Sequence, residues 1–167
     1  MNKLYYALYH SPIGQLILVS DDNHLLRLYP KHLTEDVFSL STEEPSPISL
    51  TQAWLDAYFN GDKPPIDSLP IKTIGTAFQE KCWRLLLQIP YGSVTTYKDI
   101  ANQLQKDSPS GKMSCQAVGQ AIRKNPITII IPCHRVIGSD DSLTGYSGGL
   151  TIKKELLHHE AKTKAAP

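Results

Sequence analysis

The segment Ile127-Thr128-Ile129-Ile130-Ile131-Pro132-Cys133-His134-Arg135-Val136 constrains the fold more than any other stretch of the chain. Four isoleucines in five positions have to be covered, so the rest of the molecule must build a core around them. The run reads as a buried strand. It stops at Pro132, which has no N–H to donate to a ladder. Directly after it come a thiol and an imidazole, Cys133 and His134, a candidate nucleophile and base. Adjacency alone does not make a dyad, because neighbours in an extended or turn segment need not face each other. An isolated pair of this kind is better read as a structural buried cysteine. At 167 residues the chain is one ordinary domain or two small ones, long enough to bury such a segment.

Around this segment the periodicities change from strand-like to helix-like. Residues 3–9, 15–20 and 24–29 read as three strands, separated by turn signals at Ser11-Pro12 with Gly14 and at Asp21-Asp22-Asn23. An antiparallel meander is the simplest arrangement. His10, His24 and His32 fall in it as surface or turn residues, with no cysteine nearby. Residues 34–48 read as a loop. Ser49 or Thr51 can cap a helix through Phe59, with Ala53, Trp54, Ala57 and Tyr58 on one face. The proline-rich connector 62–70 then suggests a domain boundary near residue 72.

Beyond it the chain reads as helical. Thr76 begins a helix with Phe78, Cys82, Trp83, Leu85, Leu86 and Ile89 inward. Thr95 or Thr96 caps a second, with Tyr97, Ile100, Ala101 and Leu104 spaced for burial. A polar loop over 106–112 leads to a third helix, about 114–124, with Ala117, Val118, Ala121 and Ile122 inward and Gln116, Gln120 and Arg123 outward. Two short helices joined in this way suggest a helix-turn-helix. A final helix from about Leu150 to Ala161 carries Leu150, Leu156 and Leu157 inward. The expectation is an α+β protein: residues 1–72 a small three-stranded sheet with a helix, residues 73–167 a mostly helical domain holding Cys133.

Composition excludes several classes. No apolar stretch approaches the ~20 residues that span a bilayer. The Met1–Tyr6 stretch has no apolar signal core, so a cytoplasmic location is expected. Cys82, Cys115 and Cys133 are an odd number at wide spacings, which supports neither a disulfide framework nor a zinc ribbon. The net charge of +1 hides an asymmetry. Residues 1–72 carry five Lys/Arg against nine Asp/Glu, and residues 73–167 carry twelve against seven. The half holding Cys133 is the basic one, compatible with an anionic partner or simply with a solvated basic face.

A set of motifs makes the helical half more specific. Pro132-Cys133-His134-Arg135-Val136 is preceded by Gly75 to Gln79 with Trp83, Ile89 to Gly92, Thr95 to Ala101, Ala117-Val118-Gly119 and Asn125-Pro126. It is followed by Gly145 to Gly149 and by Lys153 to Glu160. In this order, over nearly all of residues 73–163, they resemble the O6-alkylguanine-DNA alkyltransferases; residues 1–72 resemble that family only loosely. The resemblance implies irreversible alkyl transfer from guanine O6, in a base flipped out of duplex DNA, to Cys133. A free thiol with a pKa of ~8.5 needs a base. The resemblance makes His134 that base, acting through a water, and Glu160 the carboxylate that orients it. It makes Asn125 the hinge asparagine that bonds backbone near the active-site turn, and Tyr97 the donor toward N3 of the leaving guanine. Ile122, Tyr146 and Ser147 would line the base pocket, and the carbonyls of Cys133 and Val136 would read the exocyclic amine. Arg135 reads as a structural anchor.

The same resemblance places the second helix of the helix-turn-helix in the minor groove, where Ala117 and Gly119 permit close approach. Thr96, Lys98 and Arg123 become phosphate contacts, with Lys112 and Lys124 adding charge. One position departs from the pattern: Gln116 stands where an arginine usually enters the base stack, which predicts weaker or slower flipping. Cys115 beside it is given no role, and Cys82 reads as core. The implied partner is double-stranded DNA containing O6-alkylguanine, met by a monomer with room for cooperative loading, and no membrane. No cofactor is implied. The family's zinc-bearing members use amino-terminal cysteines, and there is none here before Cys82, so no metal is expected. Two competing readings remain. A non-catalytic lesion-binding relative would lack the cysteine of this motif, and a thiol hydrolase has only the Cys, His and Glu set in its favour.

Overall fold

Tyrosine-rich alternation opens the first element, and tight polar turns fold it back on itself. The computed structural model describes residues 3–31, 40–107, 113–143 and 149–164. Strands β1 (Tyr5–Ser11), β2 (Gly14–Ser20) and β3 (Leu25–Pro30) form an antiparallel sheet in that order. Gly14, at φ 110°, closes the first turn in a conformation that L side chains rarely adopt. Asp21 closes the second, its Oδ1 accepting from the amides of Asn23 (2.8 Å) and His24 (2.6 Å). The central strand is covered on both faces. Leu16 and Leu18 enter the main core, while Ile17 and Val19 join Tyr29 in a smaller cluster behind the sheet.

Helix α1 (Ser46–Phe59) starts earlier than its polar residues suggest. Pro47 sits in its first turn, where a missing N–H costs nothing, so neither Ser49 nor Thr51 is the cap. Thr51 is instead internal, and its hydroxyl bonds the Pro47 carbonyl at 2.7 Å. The inward face is Ile48, Thr51, Trp54, Leu55 and Tyr58; Ala53, expected inward, is exposed.

The helical half follows its caps closely. Helix α2 (Ala77–Leu86) begins with a reciprocal capping box between Thr76 and Gln79. Helix α3 (Tyr97–Lys106) is capped by Thr96, whose Oγ1 accepts from the Asp99 amide at 3.1 Å. Helix α4 (Cys115–Arg123) is capped by Ser114, accepting from the Ala117 amide at 3.0 Å. α2, α3 and α4 pack on one another around Cys82, Trp83, Ile100, Ala101, Leu104, Val118, Ala121 and Ile122. The Trp83 indole donates to the Ala121 carbonyl at 2.9 Å, fixing α2 against α4. A short parallel pair, β4 (Thr95–Thr96) with β5 (Val136–Ile137), ties the entry of α3 to the segment after Cys133. The sequence reading did not anticipate this pair.

Helix α5 (Leu150–Thr163) departs most from its hydrophobic pattern. Leu150, expected inward, is exposed, and the buried stripe is Lys153, Leu156 and Glu160. Two charged residues take the inward positions because polar partners lie beneath them, Arg135 and His134 for Glu160 and the Val136 carbonyl for Lys153. Among the described residues no helix is long and apolar enough to cross a membrane.

Candidate active site

The isoleucine run is buried as expected, but it is not a strand. Only Ile127 pairs with the sheet, in a single bridge to Leu28. There Leu28 N donates to Pro126 O (3.0 Å), and Thr128 N and Oγ1 both donate to Leu28 O (2.9 Å each). The chain then turns sharply. Ile129 has φ 71°, and the Ile130 amide reaches back to Thr128 O at 2.8 Å, a γ-turn of the rarer hand. For a β-branched residue this backbone is strained, and it persists because the surroundings over-determine it. Pro132, at φ −82° and ψ 64°, makes a second three-residue turn, closed by Cys133 N to Ile131 O at 2.8 Å. A 3-10 turn over Cys133–Arg135 follows, and then β5.

Asn125 explains how an apolar, buried turn keeps its backbone satisfied. Its Nδ2 donates to Ile131 O at 2.8 Å, and its Oδ1 accepts from Ile127 N at 3.0 Å, bracing both ends of the loop. Its side chain also lies near enough to the Cys133 thiol to pull that thiol's pKa down.

Behind the thiol lies a dense polar cluster. Cys133 is 3% exposed, His134 0% and Glu160 1%. His134 Nε2 is 2.6 Å from Glu160 Oε2. Arg135 donates to both carboxylate oxygens, Nε to Oε1 at 2.7 Å and Nη2 to Oε2 at 3.1 Å, and its Nη1 donates to Ile89 O at 2.7 Å. The Gly92 amide adds a bond to Oε1 at 3.2 Å, presented by a backbone at φ 77°. The Tyr58 hydroxyl adds another to Oε2 at 2.6 Å, reaching across from α1. Arg135 is thus the structural anchor that the motif suggested.

The electrostatics follow from this packing. Burial pushes the Cys133 thiol up to about 11, against opposing pulls from Asn125 and the positive charge of Lys153. Burial also lowers His134, outweighing the stabilising Glu160 carboxylate. For Glu160 burial alone would favour the acid, but His134 and Arg135 prevail and hold it well below the ordinary carboxylate range. His134 Nδ1 is buried without a hydrogen-bond partner among the described residues, an acceptor available to a passing proton.

Lys153, whose charge acts on the same thiol, is 0% exposed. Its Nζ donates to Val136 O at 2.5 Å and lies 3.5 Å from the Tyr97 hydroxyl, at the limit of a hydrogen bond. Burial lowers its pKa to about 8. The structure therefore brings Cys133, His134, Glu160, Asn125, Tyr97 and Val136 around one locus. Ile122 is buried in the same core. Tyr146 and Ser147 lie outside the described residues. Lys153 and Tyr58 were missed as site residues. A buried lysine is too rare to expect, though the i to i+7 spacing of Lys153 and Glu160 on one helix face was a usable signal.

The residues assigned to DNA lie on the outer side of α3 and α4. Lys98, Gln116 and Arg123 are exposed, and Thr96, Ala117 and Gly119 are half-buried. Lys112 lies outside the described residues. Cys115 is an exposed free thiol and Cys82 a buried one.

Fold and site define a class: an α+β protein in which a buried cysteine adjoins an imidazole–carboxylate pair, beside two packed helices with a polar outer face. Comparison with known proteins narrows it. Residues 4–73 match the 6-O-methylguanine DNA methyltransferase ribonuclease-like domain, and residues 77–162 match the DNA binding domain of 6-O-methylguanine DNA methyltransferase. The methylated-DNA–protein-cysteine methyltransferase of Haemophilus influenzae is 37% identical over 162 residues, covering 96% of this chain and 88% of the relative. That of Methanosarcina barkeri is 40% identical over 164 residues, covering 94% and 97%. The crystal structure of Mycobacterium tuberculosis O6-methylguanine methyltransferase superimposes with a TM-score of 0.85 at 36% identity, covering 98% of this chain and 96% of that one. The same organism's OGT in complex with DNA gives 0.81 at 37% identity, covering 95% and 94%. The chain belongs to the 6-O-methylguanine DNA methyltransferase family.

Proposed function

We propose that this protein repairs DNA by direct reversal, moving the alkyl group of O6-alkylguanine in duplex DNA onto Cys133. The observation that carries the reading is the Cys133, His134 and Glu160 constellation within a chain of this family. Cys133 gives its proton, through a bound water, to Nδ1 of His134, and Glu160 stabilises the imidazolium through Nε2. The thiolate attacks the alkyl carbon in line. A carbon–sulfur bond forms, the carbon–O6 bond breaks, and guanine keeps the electron pair. Tyr97, polarised by Lys153, donates toward N3 as guanine leaves, so charge on the departing base meets a donor already in place. The positive charge of Lys153 also favours the thiolate, offsetting part of the desolvation that burial imposes. Since the thioether is inert, each molecule acts once.

In this reading α3 and α4 are a helix-turn-helix that enters the minor groove. Thr96, Lys98 and Arg123 contact phosphates, Ala117 and Gly119 allow close approach, and Gln116 enters the stack. The protein works as a monomer in the cytoplasm, and its partner is alkylated duplex DNA.

The test is a duplex oligonucleotide carrying labelled O6-methylguanine, incubated with the protein and with Cys133→Ala. One label per molecule on Cys133, lost in the variant, is expected. Binding without transfer would favour a lesion-binding protein, and repeated turnover on an ester would favour a hydrolase.

A further inference from the structure

Glu160 is reached from both halves of the molecule. Its Oε2 accepts from His134 Nε2, from Arg135 Nη2 and from the hydroxyl of Tyr58, which belongs to α1 and lies 102 residues away in sequence. We infer that Tyr58 is a positioning residue for the relay that deprotonates Cys133, so that the amino-terminal half takes part in the chemistry. The inference rests on the function proposed above.

Three observations support it. First, the hydroxyl is closely placed. Tyr58 stacks on Trp54 (centroids 5.4 Å apart, planes 11° apart), meets Phe59 and Tyr91 edge-on and lies against His159. An aromatic cage of this kind holds the ring without help from the hydroxyl. Second, the hydroxyl bond at 2.6 Å is as short as the His134 bond to the same oxygen. Two short bonds to Oε2, one from His134 and one from Tyr58, restrain the direction in which the carboxylate faces the imidazole. Arg135, gripping the carboxylate through both oxygens, sets its plane. Third, Tyr58 is a neutral donor. Burial and the neighbouring carboxylate push its own ionisation far above the ordinary range, so it keeps its proton throughout the working pH range. It therefore holds Glu160 without adding a charge that would compete with the imidazolium. The charged or titratable groups around this junction are His134, Arg135, Glu160, Tyr91 and His159, with Lys63 over the Tyr91 ring and Asp67 in the same cleft, and a Phe at position 58 removes only the bond to Glu160.

Tyr58→Phe keeps the ring and removes only the hydroxyl. The control is Tyr9→Phe, which deletes a hydrogen bond of the same length to Asp56 on the exposed side of α1. Single-turnover transfer from an O6-methylguanine duplex, duplex affinity and thermal melting are measured for the parent and both variants from pH 6.5 to 9.5. Tyr58→Phe is expected to slow transfer about tenfold at pH 7 with affinity unchanged. The defect should shrink as pH rises and more of the thiol ionises without the relay. Tyr9→Phe should match the parent rate. An unchanged rate in Tyr58→Phe, or a loss constant across pH, would overturn the inference and leave Tyr58 a packing residue. A parent protein that transfers no alkyl group would instead sink the proposed function.

Discussion

Glu160 accepts from His134, Arg135, Tyr58 and the Gly92 amide, more donors than a surface glutamate near a helix end would meet. Its depressed pKa ties stability to acid. The carboxylate contributes fully above its ordinary value of 4.5, and the contribution is lost as pH falls toward the much lower folded value. Chemical denaturation of the parent should therefore show stability declining below about pH 4.5. Glu160→Gln should flatten that acid limb and lose about 3–5 kcal/mol at pH 7, because Arg135 would be left buried without its counter-charge. Cys133 and His134 were legible as a candidate nucleophile and base because their motif is contiguous. Tyr58 was read only as an inward face of α1, since nothing local says that its hydroxyl finds a carboxylate 102 residues further along the chain.

At the level of elements, α4 separates packing from contact. Gly119 lies mid-helix with ordinary backbone, and a Cβ there would sit 3.9 Å from the Tyr97 ring, a normal contact. Gly119→Ala should stabilise the fold by about 0.5–1 kcal/mol through helix propensity. It should nonetheless weaken duplex binding if this face approaches the sugar–phosphate walls; melting and DNA titration on the same samples check both. Gln116 is exposed at the start of the same helix, where a guanidinium would add charge and a stacking plane. Gln116→Arg should raise the single-turnover rate from duplex DNA, and an equal or slower rate would refute the account of flipping. Capped helices such as α2, α3 and α4 were readable because Thr76, Thr96 and Ser114 act within one turn. The isoleucine run was not. Hydrophobicity reports burial, and a strand and a chain of tight turns bury isoleucine equally well. The breakers at Asn125-Pro126 and Pro132 were the only local hints.

Across the whole molecule the sheet and the site share a hinge at Leu28. This residue is fully buried, and its amide and carbonyl carry the bonds that tether the turn leading to Cys133. Leu28→Ala should cost about 2–5 kcal/mol from the cavity alone. If the sheet also steadies the turn, the protein that remains folded should transfer alkyl groups more slowly. A shifted denaturation midpoint with an unchanged single-turnover rate would reduce the sheet to a support. The α+β arrangement was visible in the change of periodicity along the chain. The contact between α1 and α5 was not, because it joins segments whose own patterns are complete without it.

The placement of Glu160 and Lys153 on α5 has a consequence for how the protein is made. A ribosome delivers Cys133 well before Glu160, which follows His134 by 26 residues. While that helix is still in the exit tunnel, the emerging cysteine has neither the carboxylate behind its base nor the ammonium beside it. The nascent thiol is therefore an ordinary solvated cysteine, without the relay that surrounds it in the folded site. The surroundings of Cys133 are complete only when translation has supplied α5, the last described helix of the chain.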